Sequence, residues 1–462
     1  MLAGLLVCCS GCSKAQDDTE AVSDSVRMEN EIENRDYLNS LMKSWEIFNA
    51  AAQKHDADMD GETMINAVKE AIASEAPQHR VTITLACEPE MAAEYHRLAG
   101  EFKWLYANDD RYRIEVEILS QGVGCDNLND PKNSADVFFY DDTMVDQAIA
   151  NGAVARINDH MKAFSSDFNT ADSISACTIN GKQYGFPLSA AGGEVLIYDK
   201  RIFGSDISSL EQMIAKANAS GKGILYALGD PYYSAGVFMA AGCKPLNDGN
   251  MQIIDYNTDA GLAAAGTINR LAQYQGKGLK CDGRNDEVAE GFASGTLCAA
   301  ITDSDNLPAI RLAIGEENTG IASLPTVRIN DKDTQLHSFA GFDLVGVNPY
   351  SEFPFTAQLF AYFISNPRSQ VGLYYSTGKI PAMDLSEYTA ITEDALCKAM
   401  QDQAPFAHIR HTTISAEFLS DLSLQNSLSQ LVSSHGKCSK EQITTLLSAI
   451  PEKISLVKNQ DS

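Results

Sequence analysis

NGKQYGFPLSAAGGEVLIYDK, residues 180–200, splits into a turn, a short apolar run, a flexible gap and a second apolar run. Asn180-Gly181 is a strong hairpin signal, because both residues tolerate positive φ. Tyr184, Phe186 and Leu188 alternate as in a strand, and Pro187 between them suits an edge or a crossover. Ala190-Ala191-Gly192-Gly193 breaks the pattern and can absorb large dihedral changes. Val195, Leu196, Ile197 and Tyr198 then resume an apolar strand. Two strands joined by such a segment suit a hinge at Gly192 and Gly193 between two lobes. An ordinary hairpin inside one domain fits the same residues.

Working outward, strand and helix patterns alternate. Residues 81–87 read as a strand, 91–105 as an amphipathic helix and 112–119 as the next strand, a unit that predicts parallel pairing with a right-handed crossover. Residues 136–140, DVFFY, form a continuously apolar strand, buried on both faces. Asp141-Asp142 follows at its carboxyl end, where ligands bind in open α/β sheets. Beyond the glycines, strands are expected at 224–228, 297–302, 320–325 and 338–347. Helices are expected at 209–220, 259–275, 286–293 and 356–365, with a mostly helical stretch over 393–455. The architecture is α/β.

The 462 residues exceed what one core holds, so two or more lobes are expected. The net charge is −27 (35 basic and 62 acidic residues), which argues against nucleic acid and anionic lipid surfaces and says nothing of the ligand. Residues 1–12, MLAGLLVCCSGC, read as a secretion signal whose Ser10-Gly11-Cys12 resembles a bacterial lipobox. That makes Cys12 the lipidated residue and 13–24 a polar tether. Nothing after it is apolar enough to span a membrane. Eight cysteines follow Cys12, and no spacing resembles a zinc site. Cys397 and Cys438 flank the last helical region and are the first candidates for a disulfide; buried free thiols fit equally.

Residues 25–79 read as an N-terminal helical extension, with Leu38, Leu41, Met42, Trp45 and Phe48 on one helix face. Between its helices, Asp56, Asp58 and Asp60 alternate before Gly61, like the start of an EF-hand calcium loop. The twelfth position is Ala67 where a bidentate acid belongs, so an acidic capping turn is the preferred reading. No other metal or cofactor is expected.

The run GKxYGxP…G…LxYDKxxF, from Gly181 to Phe203, resembles the family 1 extracellular solute-binding proteins, the ligand-capture components of ABC importers. Further blocks fit in order: DVFFYDDTMVDQAIANGAVARI from Asp136, Asp230-Pro231-Tyr232-Tyr233 with Ala240-Ala241-Gly242, Phe292 to Ile301, Leu324-Pro325, Asn348-Pro349-Tyr350-Ser351 and Thr377 to Pro381. The resemblance covers about 80–455 and excludes the N-terminal helices. It implies a two-lobed periplasmic-binding-protein-like fold of type II, with a hinge and an interlobe cleft. Residues 80–187 with 326–376 would form lobe one, and 192–320 with 377–455 lobe two.

By the same resemblance, Tyr140 takes the place of a sugar-stacking tryptophan, with Asp141 and Asp142 as ligand-binding acids. Asp230 stands where a sugar-binding glutamate sits, Tyr232 matches an aromatic contact with Tyr233 beside it, and Asp305 and Asn306 lie in a ligand loop. Glu88, Glu90, Phe342 and Asp343 complete the candidate set. Carboxylates accept paired hydrogen bonds from vicinal hydroxyls, and aromatic faces cover the C–H side of a pyranose. The implied function is capture of a small solute, most simply a carbohydrate, by a lipid-anchored monomer on the outer face of the bacterial membrane, and delivery to the ABC transporter's membrane subunits. The resemblance implies a binding protein rather than an enzyme. The only tryptophans, Trp45 and Trp104, occupy neither stacking position, and the glutamate expected near Ala191 is absent. A shorter sugar, or a cation such as a polyamine, therefore fits as well. A glycoside hydrolase using Asp141, Asp142 and Asp230, or a surface sensor using the N-terminal helices, are the other readings.

Overall fold

The computed structural model describes residues 43–53, 62–76, 79–107, 109–120 and 125–456. Cys12 and the Asp56, Asp58 and Asp60 loop lie outside these residues.

Two separate sheets carry the two lobes. In the first, the strands Arg80–Cys87 and Arg113–Ser120 pair in parallel along their full length, and Val137–Asp141 joins Arg80–Cys87 in parallel on the other side. The long strand Ser338–Val347 then pairs antiparallel with both Val137–Asp141 and Phe186–Ala191. The expected parallel unit is present, with the helix Ala92–Tyr106 as its crossover. Leu98 and Phe102 of that helix are buried, as the amphipathic spacing requires.

The second sheet has five strands in the order Leu279–Lys280, Gly223–Leu225, Leu297–Thr302, Val195–Asp199 and Thr319–Ala322. Val195–Asp199 and Leu297–Thr302 are buried throughout, consistent with helices on both faces.

The stretch 180–200 therefore resolves into two different roles. Thr178–Ile179 and Lys182–Gln183 form a small hairpin closed by Asn180 and Gly181, both at positive φ. Phe186–Ala191 belongs to the first sheet and Val195–Asp199 to the second. The chain passes between lobes at Gly192-Gly193, and the single-domain hairpin reading is excluded.

Three expectations need correction. The resemblance places residues from 326 onward in lobe one; in the hairpin Thr326–Ile329 with Lys332–Gln335, Val327 and Ile329 instead bury in the second lobe's core, where their strand meets the helices Leu210–Ala219 and Asp259–Ala272. Its two-residue turn, Asn330-Asp331, sits at positive φ. The segment Ala407–Ile409, expected in a helical part of lobe two, adds a parallel strand to the first sheet beside Ser338–Ala340. Cys397 and Cys438 are both free thiols, as are the other cysteines whose state is described. Cys397 packs under the second sheet on its own helix, while the backbone of Cys438 is held by Asn269 at 3.2 Å.

The N-terminal helices pack on the first lobe. Trp45 and Phe48 meet Phe355 edge-on, with ring centroids 5.0 and 5.5 Å apart. Glu75, at the end of the helix Glu62–Glu75, accepts from the amides of Phe355 (2.8 Å) and Thr356 (3.0 Å), and so caps the helix Pro354–Ser365 from outside.

Candidate ligand cleft

A cavity of about 980 Å³ opens between the lobes. It is lined from the first sheet by Asp141, Ala191 and Asp343, from the turn after the strand Leu297–Thr302 by Asp303 and Asp305, and from the helix Pro231–Ala240 by Tyr232 and Tyr233. Asp230, Gly192, the 282–284 loop and Arg410 complete the inner part, and one face of the helix Leu422–Ser433 forms the outer wall.

Each of these groups is held. Asp230 caps its helix, accepting from Tyr232 N at 2.8 Å, and burial raises its pKa. The Tyr232 ring lies tilted on Phe339 at 5.0 Å, and its hydroxyl donates to the Gly192 carbonyl. Tyr233 stands edge-on to Tyr232 at 5.2 Å and donates to Asp303 at 3.2 Å. Asn285 also donates to Asp303, at 2.7 Å. Asp343 accepts from Ser189 at 2.7 Å and from the Lys379 ammonium at 2.8 Å. Burial works to lower Lys379, and the carboxylates of Asp343, Glu88 and Asp305 outweigh it, so the ammonium stays charged.

Of the residues expected from sequence, Asp141, Asp230, Tyr232, Tyr233, Asp305, Asp343 and Gly192 line one cavity. Others do not. Tyr140 is buried on the same face of its strand as Phe138, 5.7 Å away, and its hydroxyl donates to the Tyr184 carbonyl at 2.9 Å. Successive strand residues point to opposite faces, so Asp141 reaches the cleft because Tyr140 does not. Asp142 is fully buried behind Asp141, in ion-pair contact with Arg410, and burial raises it to about 6. Phe342 packs in the small core around Tyr140. Asn306 donates inward, to Thr302 at 2.9 Å and Asn285 at 3.2 Å. Glu88 is half-buried and is not among the residues lining the cavity. The Glu90 side chain lies outside the described residues. Among the described residues, no group of three or more His, Cys, Asp or Glu is placed to hold a metal ion.

Arg410, Lys379 and the outer helix face were not anticipated. Asp303 was within reach of the strand-end rule, since it follows Leu297–Thr302 directly.

A family model for bacterial extracellular solute-binding proteins matches residues 127–399, more than half of the chain. This chain belongs to that family. The solute-binding protein also resembles solved structures. One is the maltodextrin-binding protein of L. casei BL23 without ligand, at TM-score 0.68 and 19% identity, covering 80% of this chain and 97% of that one. A cyclo/maltodextrin-binding protein complexed with maltotetraose gives TM-score 0.64 and 20% identity over 79% of this chain and 95% of the other. The maltose-binding periplasmic protein of Listeria monocytogenes in complex with maltose gives 0.64 and 18% over 80% and 97%. At these identities the likeness establishes the two-lobed fold of the solute-binding protein. No match was found among curated protein sequences.

Proposed function

We propose that the cleft captures a short carbohydrate and presents it to the membrane subunits of an ABC importer, with the chain tethered to the outer face of the membrane through a lipid on Cys12. The observation that carries this reading is the grouping of Asp230, Tyr232 and Tyr233 at one helix start inside the interlobe cavity. A carboxylate accepts paired bonds from vicinal hydroxyls, and the tyrosine rings supply apolar surface for a pyranose. With two tyrosines and no tryptophan in the lining, the stacking surface suits a few sugar units rather than a long chain.

A second reading has its own support. Six of the lining residues are aspartates, Asp141, Asp230, Asp282, Asp303, Asp305 and Asp343, against Arg284, Arg410 and His435. That balance suits a cationic solute such as a polyamine.

The test is a thermal-shift and calorimetric titration with maltose, maltotriose and spermidine. Ligand at 100 times its dissociation constant stabilises by about 2.7 kcal/mol. Sugar binding without product after long incubation supports capture. A spermidine response with none to sugar overturns the carbohydrate assignment, and release of product overturns the binding role.

A further inference from the structure

Arg410 follows the strand Ala407–Ile409, where the chain leaves the first sheet for the C-terminal helices. Its side chain is almost wholly buried, yet it borders the cavity. Nε donates to Asp142 Oδ1 at 2.9 Å, and Nη2 contacts both Asp142 and Asp141. Asp142 is out of water, whereas the Asp141 side chain is 39% exposed. The guanidinium thus joins a fully desolvated acid to one that faces the ligand space. Ion pairs of this kind add little net stability, because desolvation offsets the attraction. What they add is fixed geometry.

That geometry continues. The guanidinium carbon of Arg410 lies 2.7 Å from where a β-carbon on Gly192 would stand, and 2.7 Å from the corresponding point on Gly341. Both positions hold glycine: at Gly341 the fork occupies the space, and at Gly192 a φ of +60° adds a second demand for glycine. The Gly192 carbonyl in turn accepts the hydroxyl of Tyr232, on the opposite wall of the cleft. Asp141 of the first lobe and Tyr232 of the second are therefore joined through Arg410 and Gly192 in direct contacts. Asp141 has no slack of its own: Oδ1 accepts from the Thr143 amide at 2.9 Å and from its hydroxyl at 2.5 Å, and Oδ2 meets Arg410.

We propose that Arg410 is a positioning residue for solute capture, which holds Asp141 toward the ligand and couples that carboxylate to the glycine passage between the lobes. The inference rests on the reading of the cleft as a capture site. A planar fork can contact two acids while lying across two glycines; a lysine ammonium is a point charge and cannot do both.

The experiment compares the full chain with Arg410→Lys, Gly192→Ala and the double variant. Circular dichroism checks folding, small-angle X-ray scattering without ligand reports lobe separation, urea titration reports stability, and calorimetry uses maltotriose as probe. The expected result is a folded R410K protein with altered scattering and maltotriose affinity lowered by at least about tenfold. G192A displaces the fork and also strains a φ of +60°, so the urea cycle isolates the shared part: the double variant should cost less than the sum of the two. Wild-type scattering in R410K, or urea effects of the two substitutions that simply add, overturns the proposal. Should R410K not fold, Gly341→Ala, which crowds the fork from a position without positive φ, carries the same expectation, and unchanged scattering there overturns it. If the wild type ignores maltotriose, the sugar reading fails at that step. Ligand-free scattering and the urea cycle then decide the role of Arg410 separately.

Discussion

The carboxyl of Glu194 accepts the Phe339 amide proton at 2.9 Å, bridging two places where the chain passes from one lobe to the other. Gly193 beside it would place a β-carbon 3.0 Å from the Phe339 carbonyl, so the two passages lie in close contact. Burial raises Glu194 from 4.5 to about 8. The folded state therefore holds this proton more tightly than the unfolded chain. Its contribution is complete below about pH 4.5 and is lost as pH rises through about 8. At about 1.4 kcal/mol per pKa unit, the loss is a few kcal/mol. Glu194→Gln should remove it, so urea midpoints of wild type and variant should diverge between pH 6 and 9, with the wild type falling faster. Parallel curves would contradict this account.

The pair His337 and His408 predicts the opposite limb. Their rings stack, with Nδ1 of one 2.8 Å from Nε2 of the other. Burial, then the neighbouring His408, lowers His337 from 6.5 to about 4, and burial lowers His408. The neutral forms are favoured on folding, so the stability is full above about pH 6.5 and is lost as pH falls toward about 4. His408→Gln keeps an acceptor and removes one titrating ring. Its stability should decline less between pH 6.5 and 4.5, measured by urea unfolding; an acid limb identical to wild type would refute the pairing.

Asp230 has two jobs that substitution can separate. Asn caps a helix as well as Asp, whereas Ala costs about 1 kcal/mol at such a position. Asp230→Asn should leave the melting temperature unchanged and weaken sugar binding; Asp230→Ala should lower both. Calorimetry showing full affinity in the Asn variant would remove Asp230 from the ligand contacts.

Glu75 fastens the N-terminal helices to the first lobe. Glu75→Ala strands the amides of Phe355 and Thr356 in a buried place, at about 1–3 kcal/mol. Glu75→Gln keeps an oxygen and should cost less. Denaturant midpoints that rank the two the other way round would rule out the capping role.

How far the sequence reached follows from which forces are local. The apolar runs at 81–87, 137–140 and 195–198 are strands because each carries its own burial signal, and the glycines at 192 and 193 mark the passage between sheets. The strand-end rule found Asp141, and the family resemblance found Asp230 and Tyr232. It failed at Tyr140, since a strand apolar on every residue gives no parity from which to tell core from cleft. It failed again at Arg410, whose partner Asp142 lies 268 residues earlier in the chain. Such a contact leaves no trace in either neighbourhood. The hairpin at 326–335 was missed because Asn330-Asp331 is a weaker turn signal than Asn-Gly.

The strand Ala407–Ile409 also sets an order in time. It completes a sheet whose first strand begins at Arg80, and the whole second sheet, from Val195 to Ala322, lies between them in the chain. A chain threaded through the membrane emerges from its N-terminus onward, and an interval of this length makes sheet closure a late, long-range event. The first lobe can begin early and finish only when nearly the whole chain has emerged. Until then Ser338–Ala340 has no partner on that flank, and chains truncated before residue 407 should be cut by protease in the first lobe where full-length chains resist.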